Sequence, residues 1–260
     1  MLAVIAGNVV LWKPSPKAPI TSIIIQKICY KAMAKTNVKG VFYLSLLENS
    51  EIEPLIAANK QVPLVSFTGS TAVGRKVATS VANRLGRSLL ELSGNNASIV
   101  CKSADLAQVI PAVVFAAVGT TGQRCTTLRR LYVHADLYSE VLERLLAAYE
   151  QLKIGEPWAP ETLIGPLIDE NSFKNFRQTL KTAVALGGTV HAGAAKVSTQ
   201  GYFVNPAIVS AEPDWPILQQ EAFAPILYIM PFTELTEAIA YQNQSQHGLS
   251  SSIFSQSLKE

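Results

Sequence analysis

Cysteine and histidine are scarce in this 260-residue chain, three of each, and charged residues make up only 16% of it. Cys29, Cys101 and Cys125 form an odd set without a C-x-x-C pair, which argues against a disulfide framework and against a zinc knuckle. His134, His191 and His247 never fall at metal-ligand spacing, so no metal site is expected. No apolar run reaches the roughly 18 residues of a membrane span. The apolar start, MLAVIAGNVVLWKPS, lacks a positive leading region and runs into a strand-like NVVLW, so it reads as part of the fold rather than a secretion signal. Lysines and arginines, 22 against 19 acidic residues, are scattered and do not gather with aromatics, which excludes a nucleic-acid stripe. Reduced thiols and no membrane anchor point to the cytoplasm.

What is there is apolar content, 48% of residues, enough for a sizeable core. It comes in a repeating order. Strands are expected at 8–12, 41–46, 63–67 and 88–92, with helices at 20–35, from Ser50, and at 71–84. This strand–helix–strand rhythm predicts βαβ units and a parallel, doubly wound sheet. After SGNN at 93–96 the pattern restarts. Strands are expected at 97–101, 129–134, 202–209, 225–231 and 250–254, and helices at 106–118, 137–152, 169–186 and from Glu234. The Pro/Gly-rich GEPWAPETLIGP reads as a surface loop. The expected fold class is therefore α/β, with a Rossmann-like cofactor domain over 1–92 and a second α/β domain over 93–260.

Several segments carry chemistry. In GTTGQRCTTLRR, Cys125 sits among small residues beside Arg124, a cation that favours the thiolate; alone, the cysteine is also compatible with a small packed hydrophobe. FTGSTAVGRK places Gly69 and Gly74 where strand meets helix, a turn whose amides can hold a phosphate or simply connect the elements. Arg75 and Lys76 stand where a P-loop needs Lys and Ser or Thr, so phosphoryl transfer is disfavoured. Glu91 ends an apolar strand at the carboxyl edge of the sheet, where partial burial would suit a general base and full solvation an ordinary edge glutamate. Glu221, before the apolar run of EAFAPILYIM, and Lys13, in LWKPSP, are compatible with ligand contacts or with solvated surface. A cysteine hydrolase would need a histidine beside Cys125, for which His134 is available.

The order and spacing of these parts are more telling than any one of them. Through GNVVLWKPS, FTGSTAVG, ELSGNN, GQRC and EAFAP, the chain resembles the NAD(P)-dependent aldehyde dehydrogenase superfamily along essentially its whole length. LLELSGNNASIV, FAAVGTTGQRCTTLRRLYVH, FAPILYIM and GLSSSIF resemble the antiquitin subgroup, the α-aminoadipate semialdehyde dehydrogenases. The resemblance implies that Cys125 is the nucleophile, that Glu91 activates the hydrolytic water, and that Arg124 holds the charged head of a semialdehyde. Lys13, Gly69, Ser70, Gly74, Glu221 and Phe223 would bind the cofactor, NAD with NADP open. The acid that often follows the lysine by three residues is here Pro16; Ser93 and Ala224 replace usual glycines. Family chains are also about twice this length and form homo-oligomers. The oxyanion-hole asparagine would precede Met1, and the pairing arm would follow Glu260. The sequence thus reads as an internal piece of such an enzyme. It is either active on an aldehyde or a silent fragment that retains at most nucleotide binding.

Overall fold

The computed structural model describes residues 2–193 and 201–260, and divides into two compact units, Met1–Glu91 and Leu92–Glu260. Both are α/β.

The first unit begins with a short helix α1 (Leu2–Ile5), which the sequence did not announce, followed by β1 (Val10–Trp12), α2 (Pro19–Lys35) and β2 (Phe42–Leu44). β1 and β2 pair in parallel, Val10 opposite Phe42, with α2 as the crossover. Pro19 opens α2 at a position whose N–H needs no partner. This helix turns Ser22, Gln26 and Met33 inward and leaves Ile20, Ile24 and Ile28 exposed. Gln26 is held there because its Nε2 donates to the Phe42 carbonyl at 3.0 Å. A second βαβ unit follows α3 (Asn49–Ile52) and a π-helical stretch, Glu53–Ala57. It consists of β3 (Leu64–Thr68), α4 (Thr71–Asn83) and β4 (Arg87–Glu91), the strands parallel with Thr68 opposite Glu91. Val65, Val77 and Val81 form its core with Ala57. The expected βαβ rhythm is present, with the four strands falling into two parallel pairs among the described residues.

The second unit contains β5 (Asn96–Val100), α5 (Leu106–Val118), β6 (Leu128–His134), α6 (Ala135–Glu150), α7 (Glu170–Ala185), β7 (Thr189–Ala192), β8 (Ala207–Ser210), β9 (Ile226–Phe232), α8 (Leu235–Asn243) and β10 (Ser251–Phe254). One six-stranded sheet runs in the order β10-β5-β6-β9-β8-β7, parallel except for the edge strand β7. Successive side chains alternate between its faces. Along β9, Ile226, Tyr228 and Met230 enter one core with Phe176 and Leu180 of α7. Leu227 and Ile229 enter the other with Val109 and Val113 of α5 and Val141 and Leu145 of α6. Helical crossovers between the parallel strands are what cover apolar surface on both faces of this sheet. β8 starts at Ala207, later than expected, because Pro206 interrupts the run; before it, the Tyr202 carbonyl accepts from Leu167 N–H. β7 is short and carries too little apolar pattern to be read from sequence.

Candidate active site

Cys125 lies in a tight turn between α5 and β6. The chain leaves α5 through Gly119–Gly122, where Thr120 and Thr121 both have φ near +56° and Gly122 has +66°. Left-handed backbone at two consecutive threonines costs roughly 1–2 kcal/mol each and persists only where surroundings enforce it. Here Thr121 Oγ1 donates to the Gly165 carbonyl at 2.9 Å, and Thr120 Oγ1 accepts from Arg124 Nε at 3.0 Å. Gln123 straps the loop outward: its Nε2 donates to the Pro166 carbonyl, and its Oε1 accepts from Ile168 N–H at 2.9 Å. A turn then closes on itself, Thr127 N–H to the Arg124 carbonyl and Arg124 N–H to Thr127 Oγ1, both at 3.1 Å. Cys125, at its tip, is a half-buried free thiol.

From below, the loop is carried by Asn96 and Arg129. Asn96 Nδ2 donates to the carbonyls of Cys125 and Thr127, each at 2.8 Å. Gly94 is obligatory beside it, since a side chain there would collide with the Cys125 carbonyl. Arg129, 2% exposed, donates from Nη2 to the carbonyls of Gly122 and Arg124 and to Glu221 Oε1, and from Nη1 to the Ala224 carbonyl. Burial lowers the pKa of its guanidinium, against which Glu221 and then the Tyr228 and Cys125 side chains favour the charge. Through Arg129 the thiol loop meets the turn that precedes β9. There Phe223, φ +48°, presents a partly exposed ring 5.7 Å from the guanidinium carbon. Glu221 also stands in the wall of a groove of about 260 Å³ lined by Asn175, Thr182 and Gln220.

The second unit thus brings Arg124, Cys125, Glu221 and Phe223 together at the end of its sheet where β6 and β9 begin. Arg124 lies against Phe115, its guanidinium carbon 4.8 Å from the ring centre. His134 stands at the far end of β6, about 20 Å of extended strand away. Its Nδ1 accepts from Asp136 N–H, and the length of the strand keeps His134 from serving Cys125 as the hydrolase reading requires.

In the first unit, the remaining predicted residues collect at the carboxyl ends of strands. Lys13 follows β1, Gly69 and Ser70 follow β3, and Glu91 ends β4. Gly69 N–H donates to the Glu91 carbonyl at 3.0 Å, so turn and glutamate are joined directly. Ser70 caps α4, its Oγ accepting from Val73 N–H, and both Gly69 and Ser70 are exposed. Of the two environments left open for Glu91 the structure has the solvated one: the residue is exposed, because Leu90 takes the inward position of that alternating strand. One expectation is corrected. Gly74 lies inside α4, buried, rather than in the turn that precedes the helix.

Sequence reasoning missed Asn96 and Arg129 and left Gln123 without a task. The available signal was two adjacent arginines in an otherwise apolar strand, since buried arginines need several partners. Among the described residues no cluster of three metal-ligating side chains occurs, and no helix is long and apolar enough to cross a membrane.

The family model described as the aldehyde dehydrogenase family matches residues 1–260. An aldehyde dehydrogenase family 7 member A1 of Pisum sativum is 43% identical over 98% of this chain and 50% of its own length. The alpha-aminoadipic semialdehyde dehydrogenase of Mus musculus is 43% identical over 99% of this chain and 48% of its own. Among solved structures, lactaldehyde dehydrogenase from Escherichia coli superposes with a TM-score of 0.92 at 32% identity, covering 97% of this chain and 53% of that one. A glyceraldehyde-3-phosphate dehydrogenase from Methanocaldococcus jannaschii, complexed with NADP, gives 0.91 at 29% identity, covering 97% and 54%. The chain spans about half the length of the relatives it matches, and it belongs to the aldehyde dehydrogenase family.

Proposed function

We propose that this chain carries the nucleophile and most of the cofactor contacts of an NAD(P)-dependent aldehyde dehydrogenase, acting on a semialdehyde such as α-aminoadipate semialdehyde. The observation that carries the reading is the Cys125 loop, a half-buried thiol on a strained turn fixed by Asn96, Gln123 and Arg129. Packing a small hydrophobe requires none of this scaffolding.

The chain's own residues fit a dinucleotide. Gly69 and Ser70 are exposed at the N-terminus of a 13-residue helix, whose dipole would favour a pyrophosphate there. Gly74 lies on the buried side of that helix, and Lys13 offers a cation for ribose or phosphate. Arg129 takes Oε1 of Glu221, and Oε2 would accept from ribose hydroxyls, with Phe223 packing beside the nicotinamide. Bound NAD(P) supplies the hydride acceptor.

Cys125, as thiolate, adds to the aldehyde carbon and gives a thiohemiacetal whose oxyanion is stabilised by its own backbone N–H. Loss of hydride leaves a thioester on Cys125. Glu91 takes a proton from the water that hydrolyses it, releasing the carboxylic acid and the free thiol. Arg124 pairs with the charged head of the substrate. A free-thiol chemistry suits a reducing compartment, the cytoplasm, and a homo-oligomer is the assembly we expect.

The test is NADH formation by the purified 260-residue chain with α-aminoadipate semialdehyde and NAD, beside Cys125→Ala. Turnover abolished by the substitution is the expected result. A folded chain that binds NAD without turnover would instead establish a nucleotide-binding fragment.

A further inference from the structure

We infer that Arg129 is a positioning residue: its forked guanidinium ties the Cys125 loop to the Glu221–Ala224 turn and so sets where the thiol stands. The inference rests on the reading of Cys125 as the nucleophile and deepens it.

Four acceptors from two separate loops converge on this one side chain. Nη2 reaches the carbonyls of Gly122 at 3.2 Å and Arg124 at 3.3 Å, which bracket the approach to Cys125, and Glu221 Oε1 at 3.2 Å. Nη1 reaches the Ala224 carbonyl at 3.1 Å. Nε is buried without a hydrogen-bond partner, so the two terminal nitrogens alone orient the group. The same two loops also meet backbone to backbone, where Gly122 is pressed against Ala224 and Pro225. Arg129 therefore spans a junction already in close contact and fixes its register.

Its neighbour shows what a purely architectural arginine does here. Arg130, on the opposite face of β6, donates to the carbonyls of Asn95, Tyr241 and Gln242 and to Tyr132, none of them in the Cys125 loop. The pair is thus divided between holding the fold and holding the thiol. A lysine at 129 would keep the positive charge and lose the fork, since an ammonium cannot present two terminal nitrogens to two loops at fixed angles.

The experiment compares the full chain with Arg129→Lys and with the double variant Arg129→Met/Glu221→Gln, which removes both charges of the buried pair together and leaves neither one unpaired. Iodoacetamide labelling of each cysteine is followed by peptide mass spectrometry at about pH 9.5, above the ordinary thiol value of ~8.5. Cys29 and Cys101 serve as internal controls, one in the first unit and one buried at the end of β5. In both variants Cys125 labelling is expected to rise about threefold or more, because access limits a half-buried thiol, while Cys29 and Cys101 label at the wild-type rate. Turnover of Arg129→Lys, where the wild type shows it, falls about 10- to 100-fold in kcat with little change in the aldehyde KM, a more accessible thiol that is less well placed. Unchanged Cys125 labelling in both variants overturns the inference. So does a joint rise at all three cysteines, which marks a general loss of fold. Should Cys125→Ala retain turnover, the nucleophile assignment fails, and the labelling pattern still decides what Arg129 does.

Discussion

Asn96 donates from a single nitrogen to the carbonyl oxygens of Cys125 and Thr127, each 2.8 Å away, while its Oδ1 accepts from Ser250 N–H at 3.0 Å. One buried amide at the start of β5 thus underlies the thiol turn and the entry to β10. Asn96→Ala leaves two interior carbonyls and one N–H without this partner, and a destabilisation of about 1–3 kcal/mol is expected in urea unfolding. Asn96→Asp is expected to cost more, because a carboxylate would face the same two carbonyls.

Two glycines with positive φ separate a conformational need from a packing need. Gly187, φ +99°, ends α7 with nothing within 4 Å of an added Cβ. Gly187→Ala should cost about 1–2 kcal/mol, the strain of a left-handed alanine alone. Gly122, φ +66°, has the backbone of Ala224 and Pro225 where that Cβ would go. Gly122→Ala must push the two loops apart, so a loss of about 3 kcal/mol or more is expected, with altered Cys125 labelling. Equal melting temperatures for the two variants would contradict this account.

The parts of this molecule written in local pattern were legible from sequence. The βαβ rhythm, the helices at 106–118 and 169–186, and the glycine turn at Gly69 depend on neighbouring residues, and the expected positions match the observed ones closely. The motifs that carry the candidate site residues were likewise readable. What held the site was not. Arg129 meets Glu221 and Ala224 across more than 90 residues, and Asn96 meets Cys125 across 29. Nothing in periodicity encodes such pairings. The left-handed threonines 120 and 121 were equally hidden, since threonine is an unusual choice for that backbone. α2 shows the reverse limit: it is rich in isoleucine, yet Ser22 and Gln26 are buried and Ile20, Ile24 and Ile28 are not.

Tyr228 offers a pH test. Its hydroxyl is buried without a hydrogen-bond partner, and burial raises its pKa, only partly opposed by Arg129. In the unfolded chain the phenol ionises near ~10. Above that pH the unfolded state loses a proton that the folded state keeps. Stability is therefore constant in this respect near neutrality and falls as pH rises through ~10, by up to about 1.4 kcal/mol per pH unit for one such group. Tyr149, raised by burial alone, adds to the same fall. Tyr228→Phe is expected to be neutral or stabilising at pH 7, because it removes an unsatisfied hydroxyl, and to flatten the alkaline loss measured by urea unfolding at pH 9 to 11.

Glu91→Gln separates the two halves of the proposed reaction. Glu91 ends β4 and its carbonyl accepts from Gly69 N–H, a backbone bond the substitution leaves intact. The glutamine keeps the shape and is nearly isosteric, but it cannot take a proton from water. If Glu91 activates the hydrolytic water, Cys125 still adds to the aldehyde and hydride is still lost, so the first turnover proceeds at the rate of the unsubstituted chain. Hydrolysis of the thioester then slows by about 10²–10⁴, the usual contribution of a positioned base. The progress curve should show a rapid burst of NADH approaching one equivalent per chain and a slow steady state after it. Mass spectrometry of the quenched burst should find the acyl group on Cys125. A steady state that drops without a burst would place the action of Glu91 before hydride loss, on thiol activation, because only a base acting after that point lets NADH appear ahead of the acid.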